Sequence, residues 1–310
     1  MVNRVAQRRP GVGATAVAFA ALLFGLNASS VKVILSTGIS TEQLVLFRTV
    51  FTAVLAGITL LITNRKAFKM ELKEIPLFVF YGIFGIGLMQ WTYSNAVNLL
   101  PISVALLIEY TAIALVPIVG IFLFKERVLP RLWLGIALVL GGLAVVSNIW
   151  NSNLDPIGVL WAVGAAICVT IYFITGEHTQ RNRDAMSTLF YSFLVAAIFW
   201  GIINLINPSP AVDVYEAFSL SGNLGSVSWP FWAGLLWIGT MGSFVPMLLD
   251  YIALGNLSAT AVGVIATAET VFATVFAWAW LREDMSTLEI FGGLIVITGI
   301  VLAETSRKRT

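Results

Sequence analysis

Charge is what this sequence has least of. Only 11% of its 310 residues are charged, where a soluble domain carries about 25%. A soluble fold of this length cannot cover its surface with so few charges. Cysteine and histidine are scarcer still, since Cys168 and His178 each stand alone. A lone cysteine excludes a disulfide within the chain and a Cys-based zinc site. One histidine leaves His-centred metal or triad chemistry almost without material. No Gly-x-x-x-x-Gly-Lys-Ser/Thr run occurs, which removes the usual phosphate-binding loop for a nucleotide. No cofactor and no nucleic-acid partner is expected.

What the chain has in abundance is apolar sequence, with 58% hydrophobic residues and a mean hydropathy of +0.91. The solvent that suits such a chain is the lipid bilayer. A spanning helix needs roughly 20 mostly apolar residues. Such runs lie at about 14–35, 44–63, 76–97, 101–124, 131–149, 156–176, 187–206, 229–253, 257–280 and 288–305, which predicts ten spans. In lipid the backbone must satisfy its own hydrogen bonds, so the runs are helices rather than open strands. The first run follows Arg4, Arg8 and Arg9 and is too long for a signal-peptide core.

Lys and Arg positions orient the spans. With the N-terminus cytoplasmic, fifteen of the 18 basic residues fall on cytoplasmic segments, including Arg65, Lys66, Lys69, Lys73, Arg181, Arg183, Arg307, Lys308 and Arg309. The longest outer loop, about 207–228, has no Lys or Arg and carries Asp213 and Glu216. Both termini are therefore expected inside. Lys32 and Arg48 fall near outer helix ends and are expected to snorkel, with Glu42 as an alternative partner for Arg48.

The chain also repeats itself. Ala96-Val97-Asn98-Leu99-Leu100-Pro101-Ile102-Ser103 reads against Ala253-Leu254-Gly255-Asn256-Leu257-Ser258-Ala259-Thr260, and at the same offset Lys125-Glu126 falls on Arg282-Glu283 and Gly135 on Gly292. Two five-helix units follow, at 1–150 and 151–310. Five is odd, so the second enters the membrane from the opposite side, and such inverted repeats suit alternating access.

The pattern resembles the drug/metabolite transporter superfamily, EamA type. The resemblance rests on Leu23-Phe24-Gly25-Leu26-Asn27, on Phe47-Arg48, and on the two tails Leu123-Phe124-Lys125-Glu126-Arg127 with Trp133-Leu134-Gly135 and Trp280-Leu281-Arg282-Glu283 with Phe291-Gly292-Gly293. Phe24 stands where that family usually has Trp. The resemblance implies ten helices around a central cavity, a bacterial inner-membrane location, and export of amino acids or other small metabolites.

Intramembrane charges are costly and need a reason. Glu109 lies inside helix 4 and Glu269 near the middle of helix 9, on equivalent helices and three residues apart under the repeat. Both are expected to line the cavity and to hold a substrate amine or exchange a proton, against a reading in which they only glue helices together. Tyr110, Asn27, Tyr172, Gln90 and Trp91 are further candidates for substrate contact. Trp133, Trp150, Trp200 and Trp229 read as interfacial belt residues, Pro117 and Pro246 as kinks, and Gly82, Gly85, Gly141, Gly142, Gly292 and Gly293 as sites of close helix approach. Acidic cavity residues favour cationic or zwitterionic substrates over sugar phosphates or lipid-linked ones. An intramembrane enzyme or a sensor without flux are the alternatives of a different class. The oligomeric state, the coupling ion and the direction of transport stay open.

Overall fold

The computed structural model describes residues 9–125, 129–151, 154–210, 212–283 and 285–305. Expectations on Arg4, Arg8, Glu126, Arg127, Arg307, Lys308 and Arg309 lie outside the described residues. The chain is almost wholly helical. Its long elements are α1 (Pro10–Leu35), α2 (Thr41–Thr63), α3 (Leu72–Leu99), α4 (Ile102–Leu123), α5 (Pro130–Val146), α6 (Pro156–Gln180), α7 (Ala185–Ile206), α8 (Phe231–Asn256), α9 (Ala259–Leu281) and α10 (Thr287–Thr305). Among the described residues, eight of these are long and apolar enough to cross a membrane, and α5 and the Thr287–Ala303 stretch of α10 are shorter apolar helices. Each of the ten apolar runs read from the sequence falls on one of them.

Local chemistry sets where these helices begin. Pro10, Pro130 and Pro156 occupy the first helical turn, where a missing N–H costs nothing. Ser40 caps α2 through a reciprocal box with Gln43, Asp155 accepts from the N–H groups of Ile157 and Gly158, and Asp184 accepts from Ser187. Lys125 and Arg282 end α4 and α9 in the left-handed conformation, at φ 55° and 61°. A cation at that end also suits the helix dipole.

Two pairs of helices are irregular in the same places. The π-helical segment of α3, Tyr81–Gly87, and that of α8, Thr240–Phe244, end at equivalent positions, and each is followed by a 12-residue α-helix (Leu88–Leu99 and Val245–Asn256). In α4 the first eight residues, Ile102–Glu109, stop before the helix resumes at Ala112. In α9 the first eight, Ala259–Ala266, stop before it resumes at Ala268. A threonine hydroxyl at each break returns to the carbonyl three residues back: Thr111 to Ile108 at 2.7 Å and Thr267 to Val264 at 2.6 Å. Pro246 lies inside the continuous helix Phe231–Asn256 and has no N–H to donate, and the carbonyl four residues back, Gly242, accepts from Arg48 instead. Pro117 does sit inside the second part of α4.

Packing exchanges between the halves. α1 lies against α8 and α9, while α6 lies against α3 and α4; α2 packs on α7, and α5 on α10. The α5–α10 seam is closed by glycine: a Cβ at Gly142 would meet the backbone N of Val296 at 2.8 Å, and one at Gly292 the backbone N of Val146 at 2.7 Å. Gly141 faces open space and Gly293 makes only ordinary contact, so of those glycine pairs one member each carries the close approach expected of both. The helix ends gather into two sets. Arg9 bonds Asn256, Arg131 bonds Thr305, Arg183 bonds Glu74, and Glu177 accepts from Ala259 N. At the opposite set, Lys32 pairs with Glu283 and Ser40 meets Ser209. There the α7–α8 connection, read as a loop, contains a short antiparallel hairpin, β1 (Ala217–Ser219) with β2 (Ser228–Pro230), in the register Phe218 opposite Trp229.

Candidate functional site in the central cavity

A cavity of about 70 Å³ lies between the halves, room for a handful of waters. α1 brings Asn27 to it and α2 brings Arg48; α3 contributes Gln90 and Tyr93, α4 contributes Glu109 and Tyr110, α6 contributes Tyr172, α8 contributes Asp250, and α9 contributes Glu269. Phe24, Met89, Val169, Phe173, Met247 and Ala266 supply the apolar wall. Both breaks described above sit beside this space, since Glu109 ends the first part of α4 and Ala266 ends the first part of α9. Irregular backbone of this kind is tolerated at membrane depth where it lines a cavity.

Two of the three carboxyl groups are held by tyrosines. Tyr110 Oη donates to Glu269 Oε2 at 2.6 Å, across the two halves, and Tyr172 Oη donates to Asp250 Oδ2 at 3.3 Å. Below Asp250, Tyr81, Tyr172 and Tyr251 cluster with ring centroids 5.8–6.2 Å apart, and Tyr251 Oη meets Ser192 Oγ at 3.0 Å. Arg48 is 2% exposed; its Nε donates to Ser243 Oγ and its Nη2 to the Gly242 carbonyl, each at 2.8 Å. That carbonyl lies in the π segment of α8. A Cβ at Gly242 would overlap Asn27 Oδ1, so a larger residue there requires the Asn27 side chain to move.

Buried polar atoms are nearly always hydrogen-bonded. In this cavity Asn27 Oδ1, Arg48 Nη1, both amide atoms of Gln90, Tyr93 Oη and Asp250 Oδ1 have no partner among the described residues. Donors and acceptors left over in one small space are what a polar ligand or water would satisfy.

Six of the residues singled out from sequence meet in this one space: Asn27, Gln90, Glu109, Tyr110, Tyr172 and Glu269. Trp91 does not. Its Nε1 donates to Glu42 Oε1 at 2.9 Å and its ring packs against Trp161 and Trp200 at 4.7 and 5.5 Å. Three further expectations are corrected. Glu42 is engaged by Trp91, not Arg48, and Arg48 is buried in the cavity rather than snorkelling. Trp200, 3% exposed, is an interior residue rather than part of a belt. Lys32, half-exposed, is paired with Glu283 at 2.8 Å.

Sequence reasoning passed over Asp250 and Tyr93 and misjudged Arg48. Asp250 lies within α8, which runs on to Asn256. Starting helix 2 at 44 put Arg48 within about one turn of the surface, but α2 begins at Thr41. A lone Asp in Met247-Leu248-Leu249-Asp250-Tyr251 was a signal of the same kind as Glu109.

The model of the EamA-like transporter family matches the chain twice, at residues 11–148 and 156–305. The chain belongs to the EamA-like transporter family. It is a multi-pass membrane protein of a transporter family. The threonine/homoserine exporter RhtA of Escherichia coli K12 is 22% identical over 260 residues, 82% of this chain and 80% of RhtA. RhtA of Salmonella typhimurium LT2 is 22% identical over 246 residues, 78% and 76% of the two chains. The uncharacterized inner membrane transporter YhbE of E. coli K12 is 29% identical over 147 residues, 47% of this chain and 42% of YhbE. A crystal structure of a protein superposes with a TM-score of 0.75 at 17% identity, covering 96% of this EamA-like chain and 98% of the other. At that identity the likeness shows the fold.

Proposed function

We propose that this EamA-like protein is a secondary transporter of the bacterial inner membrane that exports amino acids or related zwitterionic and cationic metabolites by alternating access. The single observation that carries this reading is the central cavity, where two halves meet around three carboxyl groups, one guanidinium and several unpartnered polar atoms. The exporters named RhtA, similar along most of the chain, point the same way.

The architecture we infer is ten spans in two oppositely oriented units, 1–150 and 151–310. The shared positions of the π segments and helix breaks support it, as does the exchange of packing partners between α1 with α8 and α6 with α3. The end of the bundle that gathers Arg9, Arg131 and Arg183 is taken as cytoplasmic, following the bias of cations toward that side. Alternating access then consists of the two units exchanging conformations around a fixed site. Asn27, Gln90, Glu109, Tyr110, Tyr172 and Glu269 are the proposed substrate contacts, to which we add Asp250 and Tyr93. Trp91 is placed behind the wall. The carboxyls are also the groups that would exchange protons if transport is driven by a proton gradient.

The test is flux through purified protein in sealed vesicles, with a panel of labelled amino acids at two pH values. Saturable movement of at least one amino acid, absent from empty vesicles, is expected. No flux of any amino acid, with turnover of a lipid substrate instead, would replace a transporter with an enzyme.

A further inference from the structure

We propose that Arg48 anchors the carboxylate of a zwitterionic substrate while Glu109 receives its ammonium group, an assignment that rests on the transporter reading above. The case begins with what Arg48 lacks. A buried guanidinium is costly unless a carboxylate compensates it, yet among the described residues no acid lies within ion-pair distance of Arg48. Its two bonds go to neutral acceptors, the Ser243 hydroxyl and the Gly242 carbonyl. Those bonds fix the plane of the fork from one side, leaving Nη1 unpartnered in a residue that lines the cavity. A planar donor held in place with one nitrogen free is preorganised for a planar anionic group.

The acids divide in a complementary way. Tyr110 occupies Glu269 and Tyr172 occupies one oxygen of Asp250, whose Oδ1 is left unpartnered, whereas the whole Glu109 carboxyl makes no hydrogen bond with a described residue and is 8% exposed. Arg48 and Glu109 each lie seven residues from a helix start, Thr41 and Ile102. At 1.5 Å per residue each lies about 10 Å along its helix from that start. Opposite charges lining one small cavity match an α-amino acid, in which carboxylate and ammonium are neighbours. A sugar phosphate would bring negative charge to a space holding three carboxyls.

The experiment compares labelled threonine with 1-aminopropan-2-ol, the same molecule with hydrogen in place of its carboxylate, in vesicles of the full-length protein. The wild type should prefer threonine. Arg48→Gln should lower threonine transport about 10- to 100-fold, the range of a charge-assisted hydrogen bond, and bring the preference ratio toward one. Arg48→Lys, which keeps the charge but not the fork, should fall between. Ser243→Ala removes one of the bonds that hold the fork and should reduce the same ratio a few-fold, so the assignment stays testable if Arg48→Gln fails to fold. An unchanged ratio in Arg48→Lys and Ser243→Ala overturns the role of Arg48 alone. A wild type that moves no amino acid at all overturns the substrate reading beneath it.

Discussion

α4 and α9 are built alike and used differently. Both start from a tight joint, run eight residues, break, and end on a cation in the left-handed conformation. At the break, however, α4 presents Glu109 and Tyr110, whereas α9 presents Ala266 and Thr267 and places its acid, Glu269, further along. Tyr110 then reaches across to Glu269. The two helices share their breaks, and their chemistry differs where their residues differ. The position equivalent to Glu269 in α4 is Ala112, which is fully buried off the cavity, while Ala266, the position equivalent to Glu109, lines it.

That asymmetry can be broken experimentally. The largest effect is expected from Ala112→Glu, which forces an unpaired carboxyl into packed helix and should cost about 3–5 kcal/mol. The drop should be visible as lost monodisperse protein on heating, whereas Ala266→Glu opens onto the cavity and should retain its fold. Next come Glu269→Gln and Asp250→Asn, each expected to slow amino-acid flux roughly 10- to 100-fold with protein yield preserved. Gly142→Val tests the contrast between cavity and seam. It should destabilise the α5–α10 contact by about 1–3 kcal/mol, while Gly141→Val should stay within about 0.5 kcal/mol. Tyr110→Phe keeps the ring and removes one bond to Glu269, so flux should fall roughly fivefold. Trp91→Phe should change flux less than about twofold if the residue stands behind the wall, though Glu42 loses its donor.

The helices were legible because hydrophobic runs of spanning length leave little choice of structure. The acids of α4 and α9 were legible because charge in such runs is rare. What escaped the sequence was rotation and register. Successive residues on a helix point about 100° apart, so Gln90 faces the cavity while its neighbour Trp91 faces Trp161 and Trp200. The same geometry separates Gly142 from Gly141. A helix start misplaced by three residues made Arg48 a surface residue. The π segments carry no hydropathy signature, yet one of them supplies the carbonyl that Arg48 binds.

The most direct measurement is side-specific labelling of a single cysteine at the cavity wall, Ala266→Cys in a Cys168→Ala background, using a membrane-impermeant thiol reagent applied to either face of oriented vesicles. Alternating access around this cavity predicts that the cysteine reacts from both faces, that a transported amino acid slows the reaction, and that Glu269→Gln abolishes that protection. Labelling from neither face, or at a rate no amino acid alters, would contradict it.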